Sequence, residues 1–138
     1  MSTITPIHYP VRTAITISAL TTAVAACLVN ALIALGAVTL GAEVAGGLQP
    51  VAYLSFTVIA AFAGAVGWHI INRRALQPAN VMRWLVPTFL VVSVIPDIAV
   101  GVAMGWLTAG ALALMHVATI TIAVLAYRRL MPLRSGSR

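Results

Sequence analysis

The sequence predicts an all-α fold: a bundle of four transmembrane helices forming a single membrane domain over residues 1–138. Apolar residues make up 62% of the chain and charged residues only 7%, whereas a soluble domain carries about 25% charged residues. The apolar residues fall into four runs, each long enough to cross about 30 Å of hydrocarbon as a helix. Strands are not expected, because the runs lack polar alternation and a helix satisfies its own backbone polar groups in lipid.

Short links separate the four runs. A polar segment that ends at Arg12 precedes the first run, and the glycine-rich residues 41–47 follow it. A polar link that reaches Arg83 joins the second and third runs, and a very short turn at Gly105 joins the last two. The tail after Tyr127 is basic. The predicted spans cover about residues 13–39, 51–71, 84–104 and 107–127.

The formal charge of +6 comes from eight arginines and two acids. Four crossings place both termini on one side, and all eight arginines then fall on that side. By the positive-inside rule, both termini are cytoplasmic and the protein is a multi-pass protein of the inner cell membrane. Trp84 and Tyr127 fall at the same level, as interfacial aromatics do. Nucleic-acid binding is not expected, because no soluble basic face exists, and the single Cys27 excludes an internal disulfide.

Three polar residues stand out within the spans: Asn30, Asp97 and His116. Asp97 is one of only two acids in the chain, and an ionisable side chain inside a membrane marks a functional site by default. Counted from the span ends opposite the arginines, the three residues lie about seven to nine positions deep, roughly 10–14 Å at 1.5 Å per residue. This common depth predicts one shared site.

Neighbouring polar residues extend the predicted site. Ser93 precedes Asp97 by four residues and Thr119 follows His116 by three, so each shares a helix face with its partner. Thr57 lies at the matching level of the second span. The resulting assignment gives catalytic roles to Asp97, His116 and Asn30, and substrate-binding roles to Ser93, Thr57 and Thr119.

The alternative interpretation of these residues is structural, since a polar side chain in a membrane span often serves as an interhelical hydrogen-bonding group. Asp97 either forms an ion pair with His116 or stays protonated, and either state provides a proton donor or acceptor in a dry cavity. No metal and no cofactor are expected, because neither an HxxxH nor an ExxH spacing occurs.

Small residues indicate close helix packing. Gly101 and Gly105 form a GxxxG pair on the third span, and Ala60 and Gly64 form a similar pair on the second. Packing within the bundle is one interpretation of these pairs, and a homodimer through Gly101 and Gly105 is the other. The role of Glu43 is also open: it lies in a solvated link or folds over the mouth of the polar cluster.

The arrangement resembles an uncharacterised family of small four-helix integral membrane proteins from high-GC bacteria. The resemblance is carried by Asn30, by Ser93-x-x-Pro96-Asp97 and by Met115-His116, and it covers nearly the whole chain. It implies the fold but no activity. Small membrane cyclases of bacterial terpenoid pathways are similar in kind, since a buried carboxyl group in a helical bundle protonates an epoxide or alkene there.

The leading hypothesis is a membrane enzyme that isomerises or cyclises a lipophilic, terpenoid-like substrate by acid–base catalysis. Asp97 donates or relays the proton, His116 sets the protonation of Asp97 or accepts a proton back, and Asn30 and Ser93 orient the substrate or stabilise an oxyanion. A proton-coupled small transporter or channel subunit is the second hypothesis. An accessory membrane subunit, in which the polar cluster is structural, is the third.

Overall fold

The computed structural model describes residues 10–44 and 46–134, which fold into four long α-helices, one short 3-10 turn at Gly46–Leu48 and no strand. All four helices are long and apolar enough to span a membrane. The predicted all-α fold with four spans is therefore confirmed. The helices are α1 (Val11–Thr39), α2 (Pro50–Arg74), α3 (Pro78–Met104) and α4 (Trp106–Leu130).

Proline and glycine set the boundaries of the later helices. Pro50 and Pro78 each occupy a first helical position, where the missing N–H has no intrahelical partner to lose and φ is already helical. As a result α3 begins about six residues before the predicted start, and Arg83 lies inside the helix rather than in a link. Gly105, with φ of +94°, makes the reversal between α3 and α4 in a single residue.

The arginines mark one end of the bundle, which we call the basic end. There α1 and α3 begin, α2 and α4 end, and the described arginines lie at positions 12, 73, 74, 83, 128, 129 and 134. The opposite end holds the α1–α2 link and the Gly105 turn. Two statements remain predictions from the arginine distribution: which side of the membrane each end faces, and that this membrane is the inner cell membrane.

The helices are not equivalent in their packing. α4 packs extensively on both α1 and α3, while α1 also packs on α2. α3 contacts α2 only loosely. One apolar layer lies at the basic end, around Trp68 and Tyr127, and a second lies at the opposite end, around Leu48 and Leu112. Between these layers, along their helices, lie the residues Asn30, Thr57, Asp97, His116 and Thr119.

Tyr127 differs from the expectation for an interfacial aromatic. It is only 3% exposed, whereas Trp84 is 74% exposed. The Tyr127 hydroxyl donates a hydrogen bond of 2.6 Å to the carbonyl of Ala61, and its ring centroid lies 5.7 Å from that of Trp68. Gly64 makes this approach possible, because a Cβ there would lie 2.9 Å from the Tyr127 hydroxyl. Gly64 of the Ala60/Gly64 pair thus serves packing within the chain.

The GxxxG pair is also used within the chain. A Cβ at Gly101 would lie 2.6 Å from the ring of Trp106, the first residue of α4. Gly105 lies outside both helices, in the turn. The homodimer through Gly101 and Gly105 stays a prediction.

Candidate functional site

Asp97 of α3 and His116 of α4 face each other across the interface of the two helices. The Asp97 Oδ2 lies 3.1 Å from the His116 Nδ1. The side chain of Asp97 is 8% exposed and that of His116 is 37% exposed. The carboxyl group is therefore enclosed in the bundle, while the imidazole lies partly on its outer surface.

A backbone contact fixes the proton on the imidazole ring. The same Nδ1 lies 2.9 Å from the carbonyl oxygen of Leu112, one turn earlier on α4. A carbonyl oxygen can only accept, so Nδ1 carries the proton and donates it. In a neutral ring the Nε2 is then the unprotonated, basic nitrogen. The Asp97 Oδ2 lies beside this N–H without the geometry of a second hydrogen bond.

Asn30 lies at the centre of a second polar cluster, which connects three helices. Its Nδ2 donates to the Thr57 Oγ1 on α2 at 2.9 Å and to the Thr119 Oγ1 on α4 at 3.1 Å. Asn30 is 2% exposed and Thr57 is 6% exposed. Within residues 10–44 and 46–134, no donor satisfies the buried Asn30 Oδ1. The cluster is thus an interhelical hydrogen-bond network with one acceptor to spare.

The two clusters are adjacent along α4, but they are not one cluster. His116 and Thr119 are three residues apart and share a helix face. Asn30 contacts neither Asp97 nor His116 through a hydrogen bond, although all three lie at a similar depth. The reason is the order of the helices: α1 and α3 both pack on α4 but have little or no contact with each other.

Ser93 belongs to neither network. Its hydroxyl donates to the carbonyl of Leu90 on the same helix at 2.8 Å, the local bond that serine readily makes in a helix. Ser93 is partly exposed on the side of α3 that carries Asp97. Its predicted substrate-binding role therefore rests on its position alone and not on a contact with the other site residues.

An apolar groove of about 320 Å³ lies between α2 and α3, with α4 as its base. Trp68, Met82 and Tyr127, all nearly buried, form its deepest part. Phe89 on its rim is 61% exposed, so the groove opens sideways out of the bundle. Thr119 lines it as well, and this residue links the groove to the Asn30 cluster.

Helical spacing shows in which direction the groove continues along each helix. On α4, His116 precedes the lining residue Ile120 by four positions and continues its stripe. On α3, Ser93 follows the lining residue Phe89 by four. On α2, Thr57 precedes Ala60 by three. The groove therefore runs toward Thr57, Ser93 and His116, although Asp97 and His116 do not line it.

Sequence reasoning missed both the groove and the Leu112 carbonyl. The groove has a detectable signal, because Ala60, Ala63, Gly64 and Gly67 place small residues on one face of α2 at spacings of three and four. The role of Leu112 has none, since every helical residue offers the same carbonyl. Glu43, whose role was open, is exposed in the α1–α2 link at the end opposite the arginines. Among the residues that the structure describes, no group of three or more His, Cys, Asp or Glu could hold a metal ion.

Comparison with known proteins identifies one family. The model of a family of unknown function, DUF6069, matches residues 10–132. The match includes all four helices and both polar clusters. Comparisons with curated proteins and with solved structures found no match.

Proposed function

The chain belongs to the DUF6069 family, whose function is unknown, and we propose that it is an integral membrane enzyme that moves protons on a lipophilic substrate. The proposed reaction is an isomerisation or cyclisation of a terpenoid-like molecule. His116 is the acid–base group, and Asp97 positions it and stabilises its charged form. Membership in this family agrees with the resemblance found in the sequence.

One observation carries the proposal: the imidazole of His116 is held at Nδ1 and partly exposed. Nδ1 lies 2.9 Å from the Leu112 carbonyl and 3.1 Å from the Asp97 carboxyl group. The ring thus presents the basic Nε2 away from these partners. When Nε2 takes a proton, the imidazolium forms beside a carboxylate, which lowers the free energy of that charge. A general base of this kind contributes about 10²–10⁴-fold to a rate.

This geometry favours one of the roles expected for each residue of the pair. Asp97 was expected to donate or relay the proton, and its side chain is nearly enclosed and faces the imidazole. His116 is the group that can reach a molecule in the bilayer. Asp97 is accordingly a positioning residue, because it acts on the substrate only through His116.

The protons and electrons of the proposed reaction balance without a cofactor. In an isomerisation, Nε2 removes a proton from one carbon, the electron pair of that C–H bond shifts the double bond, and the imidazolium returns the proton to another carbon. In a cyclisation, the imidazolium protonates an alkene, the ring closes on the resulting cation, and Nε2 takes back a proton. No oxidant and no reductant are required.

The groove supports a lipophilic substrate. Its lining is apolar except for Thr119, and its stripes lead to His116. A hydrocarbon chain in the groove is removed from competing water, which also protects a cationic intermediate. The hydroxyl groups of Thr119 and Ser93 then orient the portion of the substrate that lies near His116.

Solvent deuterium tests the proposal whatever the identity of the substrate. Membranes from the native host are incubated in D₂O, and lipid extracts are compared by mass spectrometry for the wild type, Asp97→Asn and His116→Gln. We expect a lipid that gains carbon-bound deuterium only in the wild type. Ser55→Ala, an exposed change on α2, is the control and should behave as the wild type. Identical deuterium patterns in the wild type and both site variants would rule the enzyme out.

An accessory subunit is the second candidate, and the Asn30 cluster favours it. Two interhelical hydrogen bonds from one buried amide are what a structural element requires. This candidate predicts that Asp97→Asn and His116→Gln lower the amount of folded protein in the membrane. The enzyme predicts normal amounts and lost deuterium incorporation. The transporter hypothesis, in which Asp97 faces a pore shared by two copies of the chain, stays a prediction.

A further inference from the structure

The apolar groove between α2 and α3 ends in positive charge. At its basic end the lining residues are Ile71, Met82 and Tyr127. Arg74 follows Ile71 by three residues and Arg128 follows the lining residue Val124 by four, so each continues the stripe of its own helix. Arg83 precedes the lining residue Val86 by three. Arg74, Arg83 and Arg128, which we call the groove arginines, are all exposed.

The chain supplies no acidic side chain to neutralise these arginines. It contains only two acids: Asp97 faces His116, and Glu43 lies at the opposite end of the bundle. The guanidinium of Arg134 differs from the groove arginines, because it donates to the carbonyls of Asn72 and Arg73 at 2.7 Å each. No acidic side chain therefore neutralises the groove arginines, and an anion from outside the chain can do so.

We propose that the groove binds an anionic lipid, with its phosphate on the groove arginines and one hydrocarbon chain in the groove. Guanidinium groups bind phosphate oxygens through paired, charge-assisted hydrogen bonds. From the basic end to Thr119, the walls and base of the groove make only apolar contact with a hydrocarbon chain. Headgroup and chain thus each meet a matching surface.

The distance along α4 between the groove arginines and His116 relates this ligand to the candidate site. Arg128 and His116 are twelve residues apart on α4, which is about 18 Å along the helix axis at 1.5 Å per residue. An extended chain anchored at the groove arginines covers this distance and brings its far portion to Nε2. The substrate class is then a phosphate-bearing lipid whose chain carries the reactive bond far from its headgroup. This statement about the substrate rests on the proposed function, whereas the binding does not.

Trp68 is a built-in reporter of groove occupancy. It is 4% exposed and lines the groove, and its Nε1 donates to the Met131 carbonyl at 3.0 Å. A lipid chain therefore reaches this indole through the groove. The chain has three tryptophans, so Trp84→Phe and Trp106→Phe leave Trp68 as the only one.

The experiment measures quenching of Trp68 fluorescence by lipids with brominated chains. The full chain is placed in phosphatidylcholine vesicles that contain brominated phosphatidylglycerol or, in parallel, brominated phosphatidylcholine. We expect stronger quenching by the anionic lipid. Arg74→Gln and Arg128→Gln should each reduce the relative affinity for the anionic lipid about tenfold, because each removes a charge-assisted hydrogen bond to the phosphate.

Matched controls come from the neighbouring residues. Arg73 and Arg129 are equally basic and exposed, but they lie off the groove stripes, so Arg73→Gln and Arg129→Gln should keep the preference. Gly67 lines the groove and has open space where a Cβ would lie, so Gly67→Leu should reduce quenching by both lipids. Gly36→Leu on α1 also meets open space and should change nothing.

Three results would overturn the inference: equal quenching by both lipids, quenching by neither, or an equal loss of preference in the Arg73/Arg129 and Arg74/Arg128 variants. The last would mean general attraction of a basic protein to an anionic membrane. Asp97→Asn should bind lipid as the wild type does, so a failed deuterium experiment and a failed quenching experiment are separate results.

Discussion

Asn30→Leu should lower the free energy of unfolding of the bundle by the contribution of the two hydrogen bonds that Asn30 donates. The substitution keeps a side chain of similar size in a site that is 2% exposed. It removes the bonds to Thr57 and Thr119, at 2.9 and 3.1 Å. Interhelical hydrogen bonds in membranes contribute about 0.6 kcal/mol on average and about 1.7 kcal/mol at most. Two bonds therefore predict a loss of about 1.2 kcal/mol, with an upper bound of about 3.4 kcal/mol.

A double-mutant cycle isolates each bond. Reversible unfolding in mixed micelles gives the free energy of unfolding for Asn30→Leu, Thr57→Val, Thr119→Val and the two combinations with Asn30→Leu. Each cycle should show a coupling of about 0.6 kcal/mol. The control cycle pairs Asn30→Leu with Ser93→Ala, because Ser93 bonds only within α3, and its coupling should be near zero. Additive effects in the Thr57 and Thr119 cycles would refute the network.

Two further predictions concern close packing. Gly64→Ala should lower the free energy of unfolding by about 1–3 kcal/mol, because its Cβ would lie 2.9 Å from the Tyr127 hydroxyl; Gly67→Ala, in open space on the same helix, should not. Equal effects in this pair would contradict the packing of Tyr127 on α2. Gly101→Ala should also destabilise, because its Cβ would lie 2.6 Å from the Trp106 ring, and the oligomeric state in detergent should not change. A shift in oligomeric state without a loss of stability would instead favour a dimer through Gly101 and Gly105.

Hydropathy predicted the helices well because each span must satisfy its backbone within the bilayer. It also gave the depth of each polar residue, since depth depends only on position along a helix of known rise. Thr57 was placed in this way at the level of Asn30, and its hydroxyl accepts a hydrogen bond from that residue. The depth of a residue in the membrane can thus be predicted from its own span alone.

The neighbours of each residue around the bundle were not predictable in the same way. Asn30 shares a depth with Asp97, but α1 and α3 lie on different sides of α4, and no local pattern specifies this order. Tyr127 looked interfacial by position, and only Gly64 on a distant helix makes its burial possible. The apolar runs are exposed on many faces, so hydropathy did not separate the lipid-facing face from the packed one.

The imidazole of His116 is held by the Leu112 carbonyl with the proton on Nδ1, and the Asp97 carboxyl group lies beside this N–H. Nitrogen NMR of the protein labelled with ¹⁵N-histidine, in lipid nanodiscs, measures this directly once the His116 signals are assigned with His116→Gln. We expect a protonated Nδ1 and an unprotonated Nε2 in the neutral ring, with a Nδ1 signal that shifts in Asp97→Asn. A ring protonated on Nε2, or a signal indifferent to Asp97→Asn, would contradict it.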